Sequence, residues 1–154
     1  MKIYQLKIDD IELHFEELFA LKCRSLRKSF QEGQCNNLEV VCREKLLELP
    51  KYVNDGKAIV FGAFEDQKMI GFLWAYPRTF FNQPRMFING IAVEEAYEGM
   101  GVAKSLVEEM KVYATNNDYT GIDLTVAPFN EKAVGFYRHI GFEDERIQMF
   151  FPVK

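Results

Sequence analysis

Two glycines, Gly99 and Gly101, fall between a β-type run ending at Val93 and a run with helical spacing that begins at once. A helix N-terminus presents unpaired N–H groups at the positive end of its dipole, and glycines beside it let an anion approach closely. The stretch Ile91 to Ser105, IAVEEAYEGMGVAKS, therefore has the form of a phosphate-binding turn. Read without that chemistry, it is a strand-to-helix connection that uses two glycines. It matches neither common nucleotide motif. A dinucleotide fingerprint needs a third glycine where Lys104 stands, and the Gly-Lys-Ser/Thr of a P-loop is absent. Tyr137, by its helical spacing with Ala133 and Ile140, reads as a core position.

Other reactive residue types are sparse. The cysteines are Cys23, Cys35 and Cys42, an odd number without metal-type spacing, and they read as reduced thiols. Cys23 and Cys42 fall on apolar helix faces, and Cys35 falls in a polar loop. With His14 and His139 as the only histidines, neither a thiol–imidazole pair nor a metal site is expected. Asp123 is the carboxylate that folding could bring near the turn, either as a base or as a solvated strand-end charge.

These groups need a scaffold. A short strand is expected at 2–8, a helix at 11–31, a loop at 31–37 and a helix at 38–49 stopped by Pro50. Dense apolar runs at 57–64 and 69–76 read as a hairpin through the polar link 65–68, and 86–93 as a third strand after a loop at 77–85. A helix at 101–116, a strand at 120–127, a helix at 130–140 capped by Gly141 and a strand at 145–152 complete the chain. Three successive strands followed by strand–helix alternation imply a mixed α+β sheet. The sheet is antiparallel at first and parallel between 86–93 and 120–127.

The 154 residues, 48% of them hydrophobic, suit one domain spanning 1–154 with a sizeable core. A net charge of −4 with no basic block argues against a nucleic-acid partner. The apolar runs at 58–64 and 70–76 are too short for a membrane span, and MKIYQLKIDD lacks a signal-peptide core, so a cytoplasmic location is expected.

Two segments together resemble the GNAT family of acetyl-CoA-dependent N-acetyltransferases. Glu98-Gly99-Met100-Gly101-Val102-Ala103, after Ile91-Ala92-Val93, is similar to its Gln/Arg-x-x-Gly-x-Gly/Ala signature. Asn130 to Phe142, NEKAVGFYRHIGF, is similar to its Asn-x-x-Ala-x-x-Phe-Tyr-x-x-x-Gly-Phe segment. The resemblance implies a three-layer α/β/α fold around a central mixed, partly antiparallel sheet, in which strand 86–93 splays from its neighbour and the pantetheine of coenzyme A slots between them. It implies that the Ile91 N–H polarises the acetyl carbonyl and that the main chain of Ala92 and Val93 pairs with pantetheine. Glu98, Gly99, Met100, Gly101, Val102, Ala103, Lys104 and Ser105 would hold the pyrophosphate, and Asn130 the phosphate or pantetheine arm. Tyr137 would touch the cofactor and protonate the departing thiolate.

Phe80, Phe81 and Asn89 would border the acceptor, a primary amine of a small molecule or peptide attacking directly in a ternary complex. The phenylalanines, with Arg78 and Arg85, equally suit a packed loop. Glu98 replaces the usual Gln or Arg and calls for a cation, for which Lys104 is the candidate. Gly90 is the expected bulge. The strand 86–93 carries no carboxylate to serve as base. The alternative is a non-catalytic acyl-CoA-binding or sensor module of the same fold. A homodimer is common among proteins of this kind, although no coiled-coil pattern is visible.

Overall fold

Dense apolar runs with no polar alternation need cover on both faces, and the middle of this molecule supplies it. In the computed structural model, residues 1–31 and 33–154 are described; Glu32, within the expected 31–37 loop, lies outside the described residues. Strands β1 (Lys2–Gln5), β2 (Ile59–Glu65), β3 (Lys68–Phe80), β4 (Gln83–Val93) and β5 (Gly121–Asp123) lie side by side in chain order. The first four pair antiparallel, and β4 pairs parallel with β5. Helices α1 (Ile8–Leu13), α2 (Phe15–Ser29) and α3 (Leu38–Asn54) pack into one core with Phe72 and Trp74. On the opposite face α4 (Val102–Asn116) packs Leu106 and Met110 against Phe61, Leu73 and Met86. The α5 helix (Glu131–His139) follows β5. The mixed three-layer α/β/α arrangement is the one expected from the sequence.

Several expectations change. The helix expected at 11–31 starts earlier and breaks at His14 (φ −104°, ψ 23°). Ile11 before the break and Leu18 after it are both fully buried. Pro50 does not stop α3, which runs on to Asn54. Proline removes one helical hydrogen bond, but Leu49, Tyr52 and Val53 continue the apolar contact with the core and offset that loss.

The loop expected at 77–85 is the far end of a hairpin. Phe81 and Asn82 both have positive φ (47° and 66°), the two-residue turn that matches strand twist, and Pro77 and Pro84 lie within the flanking strands. The strand expected at 120–127 shortens to Gly121–Asp123. The strand expected at 145–152 does not form. Residues 142–154 have no ladder partner among the described residues, and Ile147, Met149, Phe150 and Phe151 are exposed.

Candidate functional site

The β4–β5 pair is three rungs long. It begins at Arg85↔Gly121 and ends at Phe87↔Asp123. Beyond it β4 runs on to Val93 beside β3 alone, so the sheet opens between Ile88–Val93 and the chain after Asp123. The ladder with β3 also breaks here. Trp74 pairs with Gly90 and Ala75 with Ile88, which leaves Asn89 as the inserted residue. The expected bulge at Gly90 is therefore at Asn89, one residue earlier. Gly90 has a different reason to be glycine: a Cβ there would lie 2.8 Å from the Lys22 Nζ and 3.3 Å from Phe72.

The open edge leads directly to the glycine loop. After Val93 comes a single 3-10 turn (Glu95–Tyr97), then Gly99 and Gly101 at φ 77° and 81°. Positive φ strains any residue with a Cβ, and nothing lies within 4 Å of where either Cβ would stand. Gly101 is the N-cap of α4, whose first turn carries no acidic residue. The amides of Val102, Ala103 and Lys104 stand at the positive end of a 15-residue helix without a capping side chain among the described residues. Met100 is exposed, and Ser105 donates its N–H to the Gly101 carbonyl at 3.0 Å.

Glu98 does not pair with Lys104. Its carboxylate accepts hydrogen bonds from Arg24, from Lys28 at 3.0 Å and from Lys132 at 3.3 Å. Those cations come from α2 and α5, so Glu98 ties both helices to the loop. Arg24 also donates Nε–H to the Val93 carbonyl at 2.9 Å. Lys28, then Arg24, hold the Glu98 carboxyl well down, at about 2. Three cations around one carboxylate leave the loop electropositive despite Glu98.

Asn130 caps α5 by accepting the Ala133 N–H on Oδ1 at 3.3 Å and donates Nδ2–H to the Lys28 carbonyl at 3.3 Å. It therefore links the start of α5 to the end of α2. Tyr137 is flanked edge-on by Phe136 and Phe142, and burial pushes its phenol up to about 12. It stays protonated throughout the working pH range. Asp123 is not a free base. It accepts from Arg85 at 2.9 Å and Arg78 at 3.2 Å.

A cleft of about 360 Å³ opens on the α3 side of the bulge. Lys45, Glu48 and Tyr52 of α3 form one wall with Lys57, and Trp74, Tyr76 and Asn89 form the other. Asn89, the inserted residue of the bulge, lines this cleft. Phe80 and Phe81 do not line it. They meet edge to face at the hairpin tip, six and seven residues beyond Trp74 along the chain, with Arg146 over both rings. Sequence reasoning passed over Lys22, Lys45 and Trp74. The available signal was a lysine on the buried stripe of α2, four residues after Leu18. Cys23 and Cys42 are core thiols, as expected, and burial raises Cys42 to about 12. Among the described residues no group of His, Cys, Asp and Glu could hold a metal ion, and no helix is long and apolar enough to cross a membrane.

A family model described as the acetyltransferase (GNAT) family matches residues 20–142. The human N-acetyltransferase 8B is 24% identical over 119 residues, 75% of this chain and 52% of its own length. The mycothiol acetyltransferase of Jonesia denitrificans is 28% identical over 93 residues, 60% of this chain and 29% of its own. The chain thus spans about half or less of these curated relatives. Among solved structures, the aminoglycoside N-acetyltransferase AAC(6')-Iy in complex with CoA superposes with a TM-score of 0.76 at 21% identity, covering 99% of this chain and 95% of that one.

Proposed function

Because the chain belongs to the acetyltransferase (GNAT) family, we propose that it is an acetyl-CoA-dependent N-acetyltransferase acting on a primary amine of a small molecule or peptide. The observation that carries this is the sheet opening after Phe87↔Asp123, which ends at a glycine loop and a free helix N-terminus. The unobstructed space at Gly99 and Gly101 and the lack of an acid in the first turn of α4 fit a pyrophosphate.

In this reading the amides of Gly99, Met100, Gly101, Val102 and Ala103 cradle the two phosphates. Lys104 and Ser105 border them from the first turn of α4. Glu98 acts through the cations it gathers. The edge of Ile91, Ala92 and Val93 that faces away from β3 takes the pantetheine arm, with Asn130 beside it; on that stretch the Val93 carbonyl is already held by Arg24. Acetyl-CoA supplies the activated acetyl as a thioester. The Ile91 N–H polarises its carbonyl from a fixed strand position, which stabilises oxyanion character without reorganisation. With acetyl-CoA bound, the amine, already in its neutral form, would bond to the carbonyl carbon as the carbon–sulfur bond breaks, and the extra proton on the new amide nitrogen would pass to water. Tyr137 donates its proton to the departing sulfur and regains one from water. A phenol held at about 12 is reliably protonated for that step.

Lines of support for the non-catalytic alternative weaken here, since Glu98 is neutralised rather than facing the phosphates. The assembly we propose is a cytoplasmic single-domain homodimer in which the exposed apolar tail from Ile147 covers itself on a second copy. Thiol release from acetyl-CoA across a panel of primary amines tests the activity. Turnover with at least one amine is expected. Cofactor binding without release on any of them would favour the sensor reading.

A further inference from the structure

The chain after Arg146 is an apolar arm on a fixed base. Ile147, Met149, Phe150, Phe151 and Val153 are each 79% to 86% exposed. The residues just before them are held in place. Arg138 donates two hydrogen bonds to Asp144, at 3.0 and 2.6 Å, and Arg85 donates two to Glu145, at 2.7 and 3.0 Å. Arg146 lies over the Phe80 and Phe81 rings. Arg85 is the β4 residue opposite Gly121, so the arm departs from beside the start of β5.

That strand is the last in the sheet, and its outer edge has no ladder partner among the described residues. The layers around it are thinly covered. Ile122, Leu124, Ile140 and Phe142 pack towards the α4 core, yet none is fully buried. The α5 helix buries no residue fully, whereas α2, α3 and α4 each bury at least three. A single chain thus holds a strand-like segment without an edge and an edge without a strand. Ile147, Met149, Phe151 and Val153 recur at every second position, as one face of a strand requires. Pro152 suits an outermost strand, because it withholds one amide from any further pairing.

We propose that residues 147–153 of one copy add to the outer edge of β5 in a second copy, reciprocally, and that this completes the acetyl-CoA site. The chain after Asp123 forms the wall of the opening across from Ile88–Val93, and within one copy it has no ladder to hold it. A strand added outside it fixes that wall. The inference rests on the acetyltransferase reading and on the homodimer proposed with it, and it names the edge that the second copy occupies. The size is adequate. Phe150 and Phe151 carry ~150–250 Å² each, so two arms and the surface they cover reach the ~1,200–2,000 Å² of a stable interface. Exchange of an identical element between two copies satisfies both edges at once and closes the assembly.

The test compares the full chain with a truncation after Arg146 and with the full-length double variant Phe150→Asp, Phe151→Asp. Sedimentation, amide hydrogen exchange and acetyl-CoA calorimetry are measured on each. The full chain is expected to be a dimer in which the amides of 121–127 and 147–153 exchange slowly. In both altered proteins the 121–127 amides should exchange ~100-fold faster or more, while those of β2 and β3 stay protected and report an intact fold. Acetyl-CoA affinity should fall ~10-fold or more with them. A monomeric full chain, or a dimer whose 121–127 amides exchange equally fast in all three proteins, overturns the inference. So does an acetyl-CoA affinity that survives the loss of the arm. If the full chain binds no acetyl-CoA at all, the acetyltransferase reading fails, and hydrogen exchange still decides where the arm sits.

Discussion

Replacing Lys22 with methionine removes a charge and keeps the length of the stem. Burial, then the charge of Lys45, lowers the Lys22 ammonium from 10.5 to about 8; the Cys42 thiol on α3 also faces it. A shift of that size corresponds to about 3 kcal/mol favouring the neutral form. Below pH 8 the lysine is protonated both folded and unfolded, so the wild type carries that full burden. As pH rises from about 8 towards 10.5, the folded protein releases the proton first, and the burden lifts. Between pH 7 and 9.5 the relief amounts to about 2 kcal/mol. The cation contact with Trp74 returns ~1–2 kcal/mol that the variant forgoes. Lys22→Met is therefore expected to be at least as stable as wild type at pH 7. Its advantage should shrink by about 2 kcal/mol by pH 9.5. Urea unfolding of both proteins at several pH values measures this, and the difference cancels the opposing titration of Cys42, whose thiol burial raises to about 12. A gap that does not move with pH, or a variant several kcal/mol less stable throughout, would refute the reasoning, since Lys22 would then be a charge with a partner.

Four further outcomes are expected. Glu98→Gln loses about 1–2 kcal/mol at pH 7, from three part-exposed ion pairs of ~0.2–1 kcal/mol each. Because the folded carboxyl is lowered to about 2, that stability is present above pH ~4.5 and disappears as pH falls towards 2; acid titration of the melting temperature follows it. Gly101→Val forces a branched side chain to φ 81°, costing about 1–2 kcal/mol and roughly 4–8 °C of melting temperature, with acetyl-CoA affinity down at least ~10-fold. Tyr137→Phe lowers kcat ~100-fold or more with little change in the acetyl-CoA KM, as read by steady-state thiol release. The chain sediments as a dimer, and truncation after Arg146, which removes the exposed Ile147, Met149, Phe150 and Phe151, yields a monomer.

The elements that position the site were largely legible in sequence because they rest on strong local patterns. Strand runs at 57–64 and 69–76 had no polar face, and a two-sided core is what they acquired. Gly99 and Gly101 announced a backbone that other residues resist, and both have positive φ. What stayed hidden depended on contacts between distant segments. Glu98 looked like a defect beside Lys104. Its real partners lie on α2 and α5, at sequence separations of 74, 70 and 34 residues. Pro50 looked like a stop, yet tertiary contact of Tyr52 and Val53 carried the helix past it. The resemblance puts Phe80 and Phe81 beside the acceptor on a loop at 77–85; the prolines that suggest that loop lie within strands, and the two rings stand at the tip of a tight hairpin outside the lining of the Asn89 cleft. Lys22 could be read as a cation on an apolar stripe, but its relation to Gly90 and Trp74 exists only once the sheet is assembled.

The central claim is that the opening between β4 and β5, with the Gly99–Gly101 loop, holds acetyl-CoA. Its most direct test is the melting temperature of the protein and of Gly101→Val, with and without saturating acetyl-CoA, and with ATP and NAD as controls. A ligand at ~100 times its dissociation constant adds ~2.7 kcal/mol, which at this chain length is a rise of roughly 10 °C. That rise is expected with acetyl-CoA alone, and largely lost in the variant. No shift with acetyl-CoA, or an equal shift in Gly101→Val, would contradict the account.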